Sequence, residues 1–429
     1  MTKKRHENNT MNADRMLTPE EACDTVLAHI APLGIERVSL LDATGRVLAR
    51  DVLARRDNPP HDNSAMDGFA VRFADAQGAT AEQPITLQVV EDIPAGTVPQ
   101  KALAPGQASR IMTGAIVPEG ADAIVPVEDT RSQGEQVAIL DVEERGAHIR
   151  MRGEDMRGDE PVLEKGQVLG PGEISVLATL QQSFVTVYRR ARVAIITTGD
   201  ELVEIEDPVG PGQIVNGNTA ALAAFCRAHG AEPLMLPIAR DDMDDIRRTI
   251  ETALDADFIL SSGGVSVGDF DFVKQVLDEM QAKTIFWRVA MKPGKPLLFC
   301  TIGSTPYFGL PGNPVSSMMS FLQFVRPALY KAGGYPPAAW PLPRATALLD
   351  SAVENDGSRR NYMRCRLYYC NRSGALRASV FERQGSHMVS SMIGANGIAL
   401  FAPEAQVKEG ESVSVQIIGP IAQGEAPNA

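Results

Sequence analysis

The sequence predicts a multi-domain protein of α/β and β structure, with a central three-layer α/β domain between two regions of β texture. Three observations predict this class. From 190 to 335, apolar strands, Gly-rich loops and amphipathic helices alternate, which is typical of a parallel sheet covered by helices on both faces. From 59 to 149 and from 336 to 420, short β-branched runs are separated by Gly, Pro, Asn and Asp turns. The first of these two regions is predicted to be a small inserted β domain, and the second a β-barrel-like domain.

The chain opens with a polar stretch, 1–16, that lacks the apolar core of a signal peptide and is expected to be disordered. The first helix is predicted from Pro19 to about Ala31. Thr18 and Glu21 fit a capping box, and proline is favoured at the first helical position.

A helical N-terminal domain is predicted to comprise two stretches, 17–58 and 150–189. Helical periodicity is lost between them and returns at about Gly172, in "PGEISVLATLQQ". The small β domain, 59–149, is therefore expected to be an insertion. The polar tail, 421–429, is expected to be disordered.

Within the α/β domain, strands are predicted to end in "TTGD", "ARDD", "SSGG" and "LPGN". The first is followed by a helix that Asn218 or Thr219 would cap and Gly230 would end. The helix after the second strand keeps Ile246 and Ile250 on one apolar face. A long helix is predicted after the fourth strand.

Composition and charge exclude several classes of partner. The formal net charge of -13 argues against a broad basic surface for nucleic acid or an anionic membrane. No stretch approaches the roughly 20 apolar residues of a membrane span. The sequence therefore predicts a cytoplasmic protein without a nucleic-acid or membrane partner. Its five cysteines lack a Cys-x-x-Cys spacing, and buried reduced thiols are expected.

Three Gly-rich loops are expected at one edge of the sheet, because open α/β sheets bind ligands beyond the carboxyl ends of their strands. A single Gly-rich loop would be interpreted as an ordinary turn between a strand and a helix, whereas three together favour phosphate binding. Serine hydroxyls, including that of Ser261, add small donors. The candidate binding residues of this edge are Thr198, Gly199, Asn218, Ser262, Gly263, Gly264, Ser266, Pro311, Gly312 and Asn313.

Carboxylates follow the same edge. Glu201, Asp241 and Asp271 come after three different strands, and oxygen ligands from several loops beside a phosphate are what Mg²⁺ needs to share its shell with a polyphosphate. Taken singly, each acid could be a helix cap. That interpretation is favoured for Asp242, whereas the three acids together favour a metal site.

Cationic and acidic side chains outside these loops form weaker candidates. Lys292 and Lys295 bracket Pro-Gly in "MKPGKP", a rigid turn that can hold an oxyanion. Asp67 in "NSAMDGFAVR" and Asp155 in "MRGEDM" lie in stretches that composition alone would assign to surface loops. A final group suits an oxyanion, although it could equally be a solvated hairpin: Arg359, Arg360, Ser386 and His387.

Taken in order, "NSAMDGFAVR", "MRGEDM", "TTGDEL", "SSGGVSVGD", "MKPGKP", "GLPGNPVS" and "RQGSHMVSS" resemble the successive motifs of the molybdopterin molybdenumtransferase family, called MoeA in bacteria and represented in animals by the gephyrin E domain. The resemblance spans roughly 18 to 418. It implies that the α/β domain binds molybdopterin and that molybdate is inserted into adenylylated molybdopterin with release of AMP, assisted by magnesium.

The resemblance also implies an elongated homodimer, a molybdopterin adenylyltransferase as supplier, and apo-molybdoenzymes or their chaperones as recipients. By motif, Asp67 and Asp155 would be cross-subunit acids. Arg359 and Ser386 would hold molybdate, with Arg360 competing for the first position. The implied catalytic set is Asp67, Asp155, Glu201, Asp241, Asp271, Lys292 and Lys295.

Two positions depart from the family pattern. Phe69 stands where the family commonly has Tyr, and Arg288 stands where some bacterial members have Lys. Because arginine does not give up its proton, a role for Arg288 in substrate binding would be electrostatic.

Two rival functions compete with the insertase. A nucleotide pyrophosphatase of the CinA kind would explain Glu201 and Asn218 but not "MKPGKP", "LPGNPVS" or the flanking β domains. A non-catalytic dimeric scaffold is the second rival. It leaves the intact set of acids and lysines without a role.

Overall fold

The computed structural model describes residues 16–264 and 272–424. It divides into two compact units. The large unit comprises the described parts of Met1–Ala49, Gly166–Gly170 and Phe184–Ala429, and the small unit comprises Arg50–Lys165 and Pro171–Ser183. The finer domain limits expected from the sequence stay a prediction.

The large unit is built around a six-stranded sheet. In spatial order its strands are Glu232–Met235, Arg192–Thr197, Phe258–Ser262, Thr305–Leu310, Pro296–Ile302 and Lys283–Arg288. The first four are parallel, as predicted, but Pro296–Ile302 runs antiparallel to both of its neighbours. The expectation of a wholly parallel sheet is therefore wrong. Only Gly303 and Ser304 separate Ile302 from Thr305, and so short a connection joins antiparallel strands.

Helices cover both faces of this sheet. Val193 and Ile195 enter a core shared with Leu222, whereas Ala194 and Ile196 enter a second core. Successive residues of one strand thus pack in different layers, which confirms the predicted three-layer domain. The helices of the large unit are Pro19–Ala28, Gly217–Ala228, Met243–Ala253, Phe272–Glu279, Pro314–Ser320 and Arg326–Ala332, the last two joined by a π-helical turn at Phe321–Val325.

The N-terminal helix has both halves of the predicted capping box. The Thr18 hydroxyl accepts from the backbone N–H of Glu21, and the Glu21 carboxylate accepts from the backbone N–H of Thr18. The helix ends at Ala28 rather than Ala31, because the His29 N–H turns back to the carbonyl of Val26 and closes the last turn.

The C-terminal part of the large unit is a closed barrel, as predicted. Its strands are Arg344–Leu349, Arg360–Cys370, Leu376–Val380, Gly397–Phe401 and Ser412–Ile417. Closure comes from the long strand Arg360–Cys370, which pairs with Leu376–Val380 on one side and Gly397–Phe401 on the other. The same strand pairs at its start with Met291–Lys292.

Shorter pairings complete the large unit. They join Ile35–Ser39 with Phe184–Tyr188, Leu202–Val203 with Ile214–Val215, and Val353–Glu354 with Gln406–Val407. Ala422–Gly424 pairs with the end of the long barrel strand. The disordered tail was expected to begin at 421. That start is wrong, because backbone pairing orders Ala422–Gly424. The rest of that tail from 425, and residues 1–15, lie outside the described residues.

The small unit contains the predicted β domain. Its six-stranded sheet has the order Ala123–Pro126, Gly68–Val71, Gln107–Ile111, Ile85–Ile93, Gln136–Ile139 and Thr130–Gln133. Two short pairs, Asn63–Ser64 with Ile149–Arg150 and Val52–Leu53 with Pro161–Leu163, lie beside it in sequence. Its helices are Phe73–Ala76 and Pro171–Thr179. Phe69, Val71 and Val125 pack in its core.

The five cysteines are free thiols. Cys226, Cys300 and Cys365 are buried, as expected, but Cys23 and Cys370 are only partly so. Burial raises the pKa of Cys226 to about 12. In the part of the chain that the structure describes, we find no helix with the length and apolar character of a membrane span.

Candidate functional site

A cavity of ≈ 670 Å³ lies at the carboxyl ends of the parallel strands of the large unit. This volume falls within the range of about 300–1,000 Å³ that small-molecule sites occupy. The cavity brings together seven of the predicted binding and catalytic residues: Thr198, Glu201, Asn218, Ser262, Gly263, Gly312 and Asn313.

Asn218 fastens two of the Gly-rich loops to each other. Its Nδ2 donates to the Ser262 hydroxyl at 2.8 Å and to the Gly312 carbonyl at 2.7 Å. The sequence suggested Asn218 or Thr219 as the helix cap, and this prediction is wrong. The cap is Asn216, whose side chain accepts from the Thr219 N–H at 3.3 Å, and this frees Asn218 to reach across the cavity.

Glycine is required where these loops come close to the rest of the fold. Gly264 has φ +66°, and a Cβ there would lie 2.4 Å from Cγ2 of Val273. At Gly199, φ is +146° and a Cβ would lie 2.5 Å from a carboxylate oxygen of Glu201. The absence of a side chain at Gly199 therefore makes room for the Glu201 carboxylate. Ser266 and Asp271 lie outside the described residues, as does the rest of 265–271.

Two further carboxylates, Asp200 and Asp241, lie near Glu201, which lines the cavity. The Asp241 N–H donates to Asp200 at 3.3 Å, and the Asp200 N–H donates to Asp241 at 3.4 Å. Desolvation raises the pKa of Asp241, and the negative charges of Asp200 and Glu201 raise it further. In the described ranges none of these three acids forms an ion pair. A divalent cation would relieve this repulsion, so the donor set fits magnesium.

The described part of the chain contains no group of three or more His, Cys, Asp or Glu side chains placed to hold a metal ion by themselves. Magnesium commonly takes one or two carboxylates and completes its shell with phosphate and water. Glu201 and its neighbours Asp200 and Asp241 suit this shared coordination rather than an all-protein site.

The lysine turn lies between the sheet and the barrel. Gly294 has φ +108°, and the Met291–Lys292 strand pairs with Arg360–Asn361. Lys292 and Lys295 are exposed, and among the described residues neither takes part in an ion pair. Arg288 supplies the carbonyl that accepts from the Leu17 N–H at 3.2 Å.

The two competing arginines have different partners. Arg359 donates from Nη1 to the Met291 carbonyl at 3.1 Å, next to the lysine turn. Arg360 is paired with Glu20 of the N-terminal helix. Arg359 is therefore the one of the two whose charge is not neutralised by a neighbouring carboxylate in the described residues.

A third arginine, Arg364, was not among the candidates predicted from the sequence. Arg364 is fully buried and donates to the carbonyls of Arg383 and Gly385, at 3.1 and 3.3 Å, and to the Ser391 hydroxyl at 3.2 Å. Its Nη1 has no hydrogen-bond partner among the described residues, and burial lowers its pKa to about 10. The alternation of the barrel strand gives no sign of this role, because its core residues are Cys365 and Leu367, and Arg364 lies on the opposite face of the strand.

The segment that Arg364 holds reaches the cavity. The Ser386 carbonyl accepts from the Val315 N–H at 3.0 Å, and His387 and Val389 line the cavity. The sequence indicated His387 only as a weak candidate for oxyanion binding and did not indicate Val389 at all. An isolated valine in a polar loop carries no pattern that would distinguish it.

The two remaining predicted acids belong to the small unit. Asp67 accepts from the N–H and the hydroxyl of Thr113, at 2.7 and 2.8 Å, and these hydrogen bonds, the backbone one first, lower its pKa. Asp155 accepts from Nδ2 of Asn58 at 2.8 Å. A Cβ at Gly68 would lie 2.0 Å from the Val125 carbonyl, so glycine is needed at this position for the strand pairing beside Asp67.

A ligand cavity at the edge of a three-layer α/β sheet, with a closed barrel contributing residues to its wall, defines a multi-domain protein of the α/β nucleotide- and cofactor-binding class. Three family models match successive parts of the chain. They are the MoeA N-terminal region (domain I and II) over 17–180, the probable molybdopterin binding domain over 194–331, and the MoeA C-terminal region (domain IV) over 346–418. The chain belongs to the MoeA family of molybdopterin molybdenumtransferases.

Individual relatives agree with this membership. The molybdopterin molybdenumtransferase of Nostoc sp. is 43% identical over 332 residues, 76% of each chain. The molybdopterin molybdenumtransferase 2 of Mycobacterium tuberculosis is 39% identical over 386 residues, 89% of this chain and 94% of the relative. The crystal structure of the molybdopterin biosynthesis MoeA protein from Pyrococcus horikoshii OT3 superposes with a TM-score of 0.80 at 29% identity, covering 94% of this chain and 100% of that one.

Proposed function

We propose that this protein is a molybdopterin molybdenumtransferase that inserts molybdate into adenylylated molybdopterin and releases AMP. The observation that carries the proposal is the cavity in which Asn218 joins two Gly-rich loops beside Glu201, in a chain that belongs to this family along most of its length. The family matches include both β regions, which a CinA-like pyrophosphatase leaves unexplained.

Cleavage of a phosphoanhydride needs charge neutralisation and positioning more than a strong nucleophile. The Ser262 hydroxyl and the loop backbone at Gly263 and Gly312 bind the pyrophosphate, and Asn218 fixes the spacing between them. Lys292 and Lys295 offset the negative charge of the phosphates and of molybdate. An oxygen atom from water bonds to one phosphorus of the anhydride as the bond from that phosphorus to the bridging oxygen breaks, so AMP and the phosphate of molybdopterin each leave with a complete set of oxygens. Molybdenum bonds to the two dithiolene sulfurs of the substrate as molybdate gives up two oxo groups, which leave as hydroxide with the two thiol protons.

Glu201, which lines the cavity, and Asp241 would hold magnesium, with Asp271 as the third acid. When bound, magnesium supplies charge neutralisation at the pyrophosphate. The proposal is supported by the proximity of Asp200 and Asp241 and by the pKa of Asp241, which desolvation raises first and the negative charges of Asp200 and Glu201 raise further.

Molybdate is held by Ser386 together with an arginine. Arg359 stays the sequence-based candidate, because its guanidinium lies by the lysine turn. Arg364 is a competitor that the structure adds, since it contacts the Gly385 carbonyl next to Ser386 and has an unpartnered Nη1 among the described residues. Comparing the molybdate Kd of Arg359→Met and Arg364→Met separates the two.

We further propose a cytoplasmic homodimer in which Asp67 and Asp155 complete the site of the partner subunit. Their hydrogen bonds to Thr113 and Asn58 hold them ready for such a role. A molybdopterin adenylyltransferase would supply the substrate, and apo-molybdoenzymes or their chaperones would take the product.

The test is to incubate the purified protein with adenylylated molybdopterin and magnesium, with and without molybdate. AMP release and reconstitution of an apo-molybdoenzyme are followed together. Molybdate-dependent AMP release with reconstitution is the expected result. Release that is indifferent to molybdate and gives no active enzyme would identify a pyrophosphatase, and no release at all would identify a scaffold.

A further inference from the structure

The loop 383–391 lines the cavity with His387 and begins shortly after a barrel strand ends. That strand, Leu376–Val380, pairs with the long barrel strand. The pairing is continued by the Phe381 N–H, which donates to the Arg364 carbonyl at 3.1 Å. Beyond this point the loop needs other contacts to keep one conformation, because ordering a backbone costs conformational entropy.

The side-chain amide of Gln384 supplies the first of these contacts. Its Oε1 accepts from the Arg364 N–H at 3.1 Å, and its Nε2 donates to the Arg364 carbonyl at 2.9 Å. Two directly opposite residues of an antiparallel pair exchange hydrogen bonds in the same way. Nε2 also donates to the Phe381 carbonyl at 2.7 Å. One amide therefore fixes the start of the loop with three hydrogen bonds.

The guanidinium of Arg364 holds the loop on both sides of Gln384. Its Nη2 donates to the carbonyls of Arg383 and Gly385 at 3.1 and 3.3 Å. Its Nε donates to the Ser391 hydroxyl, near the end of the loop, at 3.2 Å. Backbone and side chain of one buried arginine thus both bind this loop, and Gln384 holds the backbone of that arginine in turn.

Ser386 lies between these attachments and the helix Pro314–Ser320. Its carbonyl accepts from the Val315 N–H at 3.0 Å, and the preceding residue, Gly385, is bound by Arg364. A shift of about 1 Å exceeds the range of distances over which a hydrogen bond to an anion stays favourable. The ability of the Ser386 hydroxyl to bind an oxyanion therefore depends on how firmly the loop is held.

We propose that Gln384 is a positioning residue for the molybdate site and that it acts by fixing Arg364 and the loop that carries Ser386. This inference rests on the proposed function, since it takes Ser386 as a ligand of molybdate. Gln384 does not have to touch the anion. The Gly-rich loops that would bind the pyrophosphate are joined by Asn218 and not by Gln384, so the two parts of the site should respond differently when Gln384 is changed.

The barrel contains another amide with the same set of contacts, and it provides a matched control. Oδ1 of Asn396 accepts from the Leu367 N–H at 2.6 Å, and Nδ2 donates to the carbonyls of Leu367 and Pro420 at 2.9 and 2.8 Å. Leu367 follows Arg364 by three residues in the same strand. Asn396 does not belong to the described lining of the cavity.

The test measures Kd by calorimetry for molybdate and, without magnesium, for adenylylated molybdopterin. Gln384→Met and Asn396→Leu each keep the approximate size of the side chain and remove three hydrogen bonds, so both should lower the thermal midpoint to a similar extent. We expect Gln384→Met to bind molybdate about tenfold more weakly and adenylylated molybdopterin normally. Asn396→Leu should bind both as the wild type does.

Wild-type molybdate affinity in Gln384→Met, or an equal loss in Asn396→Leu, overturns the positioning role. Gln384→Glu is a second variant that does not depend on the folding of the first. It keeps the acceptor for the Arg364 N–H and loses both donors, so it too should weaken molybdate binding alone.

Ser386→Ala separates this inference from the proposed function. If Ser386→Ala weakens molybdate binding and the Gln384 variants do not, the positioning role alone fails. Normal molybdate binding by Ser386→Ala would overturn the proposed molybdate site and the positioning role together. Molybdate-dependent AMP release by the wild type tests the insertase activity independently of both.

Discussion

Asn218 and Ser262 are joined by a 2.8 Å hydrogen bond that links the helix Gly217–Ala228 to the end of the strand Phe258–Ser262. The same amide donates to the Gly312 carbonyl. The spacing of the polar wall of the cavity therefore depends on one side chain.

We expect Asn218→Ala to raise the KM for adenylylated molybdopterin about tenfold, because two acceptors lose a donor that holds them in register. The measurement is steady-state AMP release. Asn371→Ala, at an exposed position after the long barrel strand, is the control and should leave KM unchanged. A normal KM in Asn218→Ala would show that the amide does not organise the site.

The carboxylates of Asp241 and Glu201 provide a test of the proposed magnesium site. Asp241→Asn should abolish insertion without loss of stability. Since the folded-state pKa of Asp241 is raised, ionisation opposes folding increasingly as pH rises through its titration range, and removing the charge at neutral pH relieves that opposition. Glu201→Gln should likewise abolish insertion. Activity and thermal midpoint are measured on the same samples.

Asp242 is the matched control. Its carboxylate caps the helix Met243–Ala253 by accepting from the Asp244 and Asp245 N–H groups. Asp242→Ala should therefore lower the free energy of unfolding by about 1 kcal/mol and keep turnover. Near-normal turnover in both Asp241→Asn and Glu201→Gln would contradict the proposed metal site.

A pH profile tests the acid of the small unit. The hydrogen bonds from Thr113 lower the pKa of Asp67, so Thr113→Val, which removes one of them, should move that pKa upward. If ionised Asp67 is needed for turnover, the acid limb of the rate profile shifts to higher pH while the rate at neutral pH changes little. Thr113→Ser keeps the hydroxyl and should show the wild-type limb. Identical profiles for all three proteins would remove Asp67 from the rate-determining chemistry.

The close approach at Gly264 gives a prediction on stability. Gly264→Ala should destabilise the fold by about 1–2 kcal/mol for the left-handed backbone and by roughly 1–3 kcal/mol more for the contact with Val273. Gly303 has a comparable φ of +59° but open space around it, so Gly303→Ala should show the backbone contribution alone. Urea unfolding measures both, and equal losses would mean that the loop shifts to avoid Val273.

Much of the fold could be predicted from local sequence signals. The capping box at Thr18, the alternation of strand and helix around Val193, and the turn-separated runs of the barrel are all encoded over a few residues. The antiparallel Pro296–Ile302 was not predicted, because strand direction depends on the partner that each strand meets and not on its own apolar pattern.

The candidate site was predictable where chemistry and spacing coincide, as at Glu201, Asn218 and Ser262. It was not predictable at Arg364 or Val389. Arg364 acts through the long-range contact between a barrel strand and the loop at Gly385, and such a contact leaves no periodic trace in the sequence. Val389 likewise lines the cavity together with residues that are far from it along the chain.

The most direct measurement of the central claim is the crystal structure of Asp241→Asn, slowed in turnover, with adenylylated molybdopterin bound. We expect the pyrophosphate to lie within hydrogen-bonding distance of Ser262 and the Gly312 loop. Density for the ligand at any other place on the protein, with this cavity empty, would contradict it.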